Sequence, residues 1–218
     1  SLAADAPDPA YEPLDQAYKA LRTNDYEKAV AGFRRAIAVS PKRASIRKDL
    51  AYTLLKIGEN EEARDQFGEA VVLDGRDEQA ALEYAFLCYE TGKPVEARRT
   101  FDQLRQPGKS ESTRKTAETA FENIDKPLRD GIARWKEAVA QRPDAYSAHE
   151  ELAQLAEKRD ELELAAAHFR EAWKLRPQHR AFLLDMGRVL RGLGRAEESV
   201  TALLAASRGA EPRTAEKA

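Results

Sequence analysis

Three columns of apolar positions recur along the chain at one interval. The first runs Ala29, Ala63, Ala97, Gly131, Ala165, Ser199, and the second, four residues later, Phe33, Phe67, Phe101, Trp135, Phe169, Leu203. The third is Ala36, Ala70, Leu104, Ala138, Ala172, Ala206, and successive members of every column stand 34 residues apart. Small, large, small at i, i+4, i+7 is one face of an α-helix, so the pattern predicts the same helix six times over. Another apolar face precedes it, as in Leu50, Ala51, Leu54, then Leu152, Ala153, Ala156, then Met186, Gly187, Leu190. Gly58, Gly92 and Gly194 end three of these first helices, and Asn24 and Asp160 hold that place in two others. All five residues suit the left-handed conformation that closes a helix. Pro41, Pro143 and Pro177 follow the second helices and stop them. The unit is helix, tight turn, helix and connector, in the frames 10–43, 44–77, 78–111, 112–145, 146–179 and 180–213.

A two-helix unit of this kind cannot bury its apolar face alone, so neighbours must stack into a continuous core. Small residues face each other within a unit (Ala17 with Ala29, Ala51 with Ala63, Ala85 with Ala97, Ala153 with Ala165) and allow the paired helices to approach closely. Composition agrees: charged residues make up 34% of the 218, aromatics 7%, and Cys88 is the single cysteine, which excludes an internal disulfide. No apolar run reaches the roughly 18 residues of a membrane span. A net charge of −2 provides no global field to recruit nucleic acid or acidic lipid.

The residues 146–179, with Leu152, Ala153, Asp160, Ala165, Phe169, Ala172 and Pro177, resemble a tetratricopeptide repeat, and so do 10–43, with Ala17, Asn24, Tyr26, Ala29, Phe33, Ala36 and Pro41. The resemblance implies an all-α fold, an α-solenoid in which helix-turn-helix repeats wind into a right-handed superhelix. The organisation expected is a leader at 1–9, repeats 1–3 over 10–111, repeats 4–6 over 112–213 and a tail at 214–218, forming a single solenoid.

The fourth frame is irregular. Its core places fall on Glu118, Thr119 and Glu122, whereas the apolar stripe is Ala117, Ala120, Phe121, Ile124, shifted by two residues. Pro127 is expected to start the second helix of this unit early, with Phe121 compensated by the small Gly131 opposite.

No arrangement for catalysis stands out. Gly108-Lys109-Ser110 resembles the end of a phosphate loop, but Gln103 stands where the motif needs glycine and no strand precedes it. His149, His168 and His179 lie in separate helices or connectors without metal-ligand spacing, and Cys88 falls on a core place. The expectation is no catalytic residue, no metal and no cofactor. Basic pairs such as Arg34-Arg35 and Arg98-Arg99 are interleaved with acids, the pattern of solvated helix faces rather than of a nucleic-acid reader.

The informative columns lie on the first helices, at places that line the concave wall in the family the chain resembles. They read Tyr18, Tyr52, Phe86, then Leu21, Leu55, Tyr89, then Leu14, Lys48, Leu82. In repeats 5 and 6 the same places hold Gln154, Glu157, Glu150 and Arg188, Arg191, Leu184, so the surface turns from apolar to charged. Leu14, Tyr18 and Asp49 do not match the family's carboxylate clamp for acidic C-termini. The expectation is a protein-interaction scaffold that holds an extended or helical segment of a protein or peptide partner in this groove. A homodimer built on the same groove is the alternative, as is the repeat arm of a larger enzyme or cell-envelope machine. The Ala/Asp/Pro-rich start without a signal-peptide pattern suits a cytoplasmic or an exported protein.

Overall fold

The computed structural model describes residues 5–208, so residues 1–4, the end of the sixth frame and the 214–218 tail lie outside it. Among the described residues there are eleven helices: α1 (Tyr11–Arg22), α2 (Tyr26–Val39), α3 (Ala44–Lys56), α4 (Asn60–Leu73), α5 (Glu78–Glu90), α6 (Pro94–Leu104), α7 (Glu111–Gln141), α8 (Tyr146–Lys158), α9 (Leu162–Leu175), α10 (Ala181–Gly192) and α11 (Ala196–Arg208). The fold is all-α, as expected. The chain divides into two compact units, Ser1–Phe121 and Glu122–Ala218, with the boundary inside α7.

In unit 1, each of the helices α1 to α6 packs chiefly on its chain neighbours, as stacked hairpins must. Phe33, Phe67 and Phe101 are fully buried between them. The turns have the predicted chemistry. Asn24, Gly58 and Gly92 take φ of 56°, 78° and 81°, values that cost a β-branched or bulky residue dearly. Asp25 and Asp77 accept from the backbone N–H of Lys28 and Ala80 and so start α2 and α5. Ala51 and Ala63 are both without exposed surface. Ala63→Leu should therefore overpack the α3–α4 contact and cost about 1–3 kcal/mol, measured as a lower urea midpoint at unchanged slope.

In unit 2, α8 packs on α9, α9 on α10 and α10 on α11. Phe169, Phe182, Val189 and Leu190 form the centre of its core. Asp160 and Gly194 take the left-handed turn at φ 62° and 76°. Leu203, on the aromatic column, lies over Gly187, where an added Cβ would meet its side chain at 2.6 Å.

The fourth frame departs from the expectation. Pro127 starts no helix but lies inside α7, a single helix of 31 residues. The turn place, 34 residues from both Gly92 and Asp160, is Lys126. A lysine bears a Cβ and has no short polar side chain to support the left-handed conformation, so the helix continues. Pro127 then removes one i→i−4 hydrogen bond, to the carbonyl of Asn123. Phe121 and Gly131, expected to oppose each other, stand ten residues apart within this one helix. Phe121 is buried under the guanidinium of Arg105, 3.7 Å from its ring centroid. Gly131 makes room for Leu155 instead, whose Cδ1 lies 2.8 Å from the place of a Cβ.

Candidate functional site

The groove column in unit 1 is built from pairs of rings. Tyr18, Tyr52 and Phe86 on α1, α3 and α5 each stand edge-on against the buried Phe33, Phe67 and Phe101 of their own hairpin. Their centroids are 5.3, 4.9 and 4.9 Å apart, at 77°, 83° and 69°. The T-shaped arrangement sets the positive edge of one ring against the negative face of the other and is worth about 0.5–1.5 kcal/mol per pair beyond the area buried. The outer rings keep 39%, 41% and 40% of their surface in solvent, and Tyr89 keeps 59%. The repeat spacing thus brings three propped, half-exposed rings to one face of three successive hairpins.

The remaining groove positions divide. Leu14, Leu21 and Leu55 are half-buried and lean on the core of unit 1. Leu82, expected on the groove surface, is only 9% exposed and belongs to the core, because α5 carries apolar residues round most of its circumference. Lys48 is held by Asp77 at 2.6 Å.

Polar groups fix the rings. The Tyr18 hydroxyl donates to the carboxylate of Asp49 on the next hairpin. Partial burial, then this bond to an anion, push the Tyr18 phenol up to about 12. Tyr52 is raised as well, by burial first and then by Glu83, Asp77 and Asp49. Burial opposes ionisation of Asp77, yet the Lys48 ammonium and the N–H of Ala80 hold it below the usual carboxylate range. Asp49, Glu83 and Asp15 form a carboxylate column of their own at the 34-residue spacing, beside the rings, a signal that periodicity could have shown.

Unit 2 treats the equivalent places differently. Arg188 on α10 forms a two-pronged bridge to Glu157 on α8, at 2.6 and 2.7 Å, and pairs with Asp185 at 2.9 Å. Gln154 and Arg191 are exposed. Two of these places, Glu157 and Arg188, are taken up by charge pairing, while Leu184 keeps 50% of its surface in solvent.

Other candidate groups are accounted for structurally. Ser110 caps α7, accepting from Thr113 N–H, and its own N–H donates to the Glu78 carboxylate at 2.9 Å. An acidic side chain of the protein therefore already sits on the Gly-Lys-Ser stretch. Cys88 is buried, and burial pushes its thiol up, away from thiolate chemistry. Among the described residues no group of three or more His, Cys, Asp or Glu is placed to hold a metal ion. No helix among them is long and apolar enough to cross a membrane.

Sequence reasoning passed over Asp125. Its carboxylate is 1% exposed and accepts from Arg159 at 2.9 Å and Arg129 at 2.7 Å. Arg129 also reaches Glu122, and Arg159 reaches Glu161. Arg159 stands 34 residues after Asp125, at the same place of the next frame, so the repeat spacing was the available clue.

The family model for the tetratricopeptide repeat matches residues 14–81, 48–111 and 128–180. No curated protein matches the chain. Among solved structures it is similar to MamA, at 14% identity and a TM-score of 0.43, with 96% of each chain covered. A tetratricopeptide repeat protein from Parabacteroides merdae is 13% identical with a TM-score of 0.49, covering 94% of this chain and 80% of that one. PilW, a type IV pilus biogenesis factor, is 21% identical with a TM-score of 0.41, at 90% and 91% coverage.

Proposed function

Because the chain belongs to the tetratricopeptide repeat family, whose members are protein-interaction scaffolds, we propose that it captures an extended or helical segment of a partner protein along unit 1. The row of Tyr18, Tyr52 and Phe86 carries this reading. Rings propped from below lose little freedom when a partner's apolar side chains settle between them, which lowers the ordering cost of binding. Tyr89 extends the row, and Lys48, Asp49 and Asp77 supply a charged flank that orients a backbone or a polar side chain. Leu14, Leu21 and Leu55 add half-buried apolar surface packed against the core of unit 1.

The test is the double substitution Tyr52→Ala with Phe86→Ala, followed by affinity capture from source lysate. Each lost anchor should weaken capture about tenfold, as truncation of aromatic anchors commonly does. The fold should be kept, since both rings are already half in solvent. Full retention of every captured partner would sink the assignment. Light scattering on the pure chain tests whether the occupant is instead a second copy. A mass that rises with concentration, and falls back in the double variant, identifies self-assembly through the same rings.

A further inference from the structure

His149 and His168 are 19 residues apart in the chain, yet the packing of α8 on α9 sets their Nδ1 atoms 2.9 Å from each other. The rings lie nearly parallel, at 25° with centroids 5.1 Å apart. His149 is buried, and its Nε2 lies 2.8 Å from the carbonyl oxygen of Pro143, in the connector after α7. A carbonyl only accepts, so Nε2 of His149 carries the hydrogen, and the neutral ring presents a lone pair at Nδ1. His168 must then donate from Nδ1. This arrangement tolerates a first proton on His168, whose Nδ1–H still points at a lone pair. A second proton, on His149, leaves two N–H groups facing each other across 2.9 Å.

We propose that this pair is a pH-sensitive latch that holds α8, α9 and the connector after α7 together at neutral pH and releases them in mild acid. The charged groups that reach it are Lys136 from α7 and Glu171 from α9. They act with opposite sign, and the lysine adds to the resistance against a second positive charge. Burial holds His168 below its ordinary value, and a charge on His149 would hold it lower still.

The sign follows from linkage. Above the range in which histidine takes up protons the pair is intact and the latch contributes in full. Below it the unfolded chain takes up a proton that the folded pair, with one N–H already set between the two Nδ1 atoms, resists, so stability falls as pH falls. Each proton so excluded lowers the folding equilibrium constant about tenfold per pH unit.

The experiment compares the chain with its His168→Asn variant, whose amide can donate to the neutral His149 from nearly the place of Nδ1 and, turned over, can accept from its N–H, but cannot itself take up a proton. Chemical unfolding is followed from roughly pH 7 to pH 5, the range in which histidine titrates. The wild-type folding constant should fall relative to the variant by about tenfold per pH unit over the acid half of that range. Parallel curves would overturn the latch. Ring-nitrogen magnetic resonance on the unaltered chain provides a second readout that needs no variant. It should find hydrogen on Nε2 of His149 and on Nδ1 of His168 at neutral pH, with a two-step coupled titration below. Two independent titrations at the ordinary histidine value would overturn it as well.

Discussion

Phe67→Ala removes one of the three fully buried phenylalanines of the repeat column in unit 1 and is expected to cost about 3–5 kcal/mol, the range for deleting such a residue. Phe67 has no exposed surface, and its neighbours Ala63 and Ala70 are too small to fill the void. The second consequence concerns the groove. Tyr52 and Phe67 meet edge to face with centroids 4.9 Å apart, so the substitution also removes the prop beneath the central ring of the row. Unfolding in urea, followed by far-ultraviolet circular dichroism, measures the first effect. Residual partner capture under conditions where the variant is still folded measures the second. Val72→Ala is the control: Val72 is 82% exposed on the same helix, and a substitution at such a site should stay within about 0.5 kcal/mol. A Phe67 variant as stable as that control would refute the packing described for α3 and α4.

Asp125→Asn should cost about 2–4 kcal/mol, although it changes almost no volume. A buried ion pair is weak evidence of net stability, but removing one partner leaves the other charge uncompensated, and that loss is large. The carboxylate of Asp125 is 1% exposed and serves Arg129 and Arg159 at once. An amide can accept with its oxygen, but its NH₂ group turns a donor toward a second guanidinium. Glu122 and Glu161 remain to Arg129 and Arg159, which keeps the cost below that of an orphaned interior charge. The unfolding midpoint is the measurement, taken beside Lys126→Ala. The Lys126–Asp130 pair has 64% and 57% of its side-chain surfaces exposed, and breaking such a pair should change stability by no more than about 1 kcal/mol. Equal effects at Asp125 and Lys126 would show that the Asp125 network carries no special weight.

The two substitutions differ in how far they could be foreseen. Phe67 is legible in the sequence, because a stacked repeat must place the same kind of residue at the same depth in every unit. The periodic columns therefore locate the small–large–small face, the turns at Asn24, Gly58, Gly92, Asp160 and Gly194, and the ring row of the groove. Asp125 was hidden among many carboxylates that look like solvated faces. Whether a carboxylate is buried depends on what the next repeat lays over it, here Arg159, and no local pattern reports that.

The fourth frame marks the same divide. Its irregularity was readable, since Lys126 stands where the other frames carry a left-handed residue. That α7 runs on as one helix through Pro127, with Leu155 against Gly131, was not readable from shifted columns alone. Leu82 and Lys48 show the limit within the groove itself. Both lie on the column expected to face a partner, yet one is buried and the other is bound to Asp77.

By itself the sequence determined the repeat, the helices of every frame but the fourth, five of its turns and the family of its fold. These follow from backbone propensities and from a periodicity that each unit imposes on the next. Tertiary structure alone decided which polar groups meet: Asp125 with two arginines, Glu157 with Arg188, and His149 with His168. Helical periodicity specifies which face of a helix is buried, but pairing between charged or titratable side chains depends on distances of a few ångströms between elements. Those distances are set only when the hairpins pack.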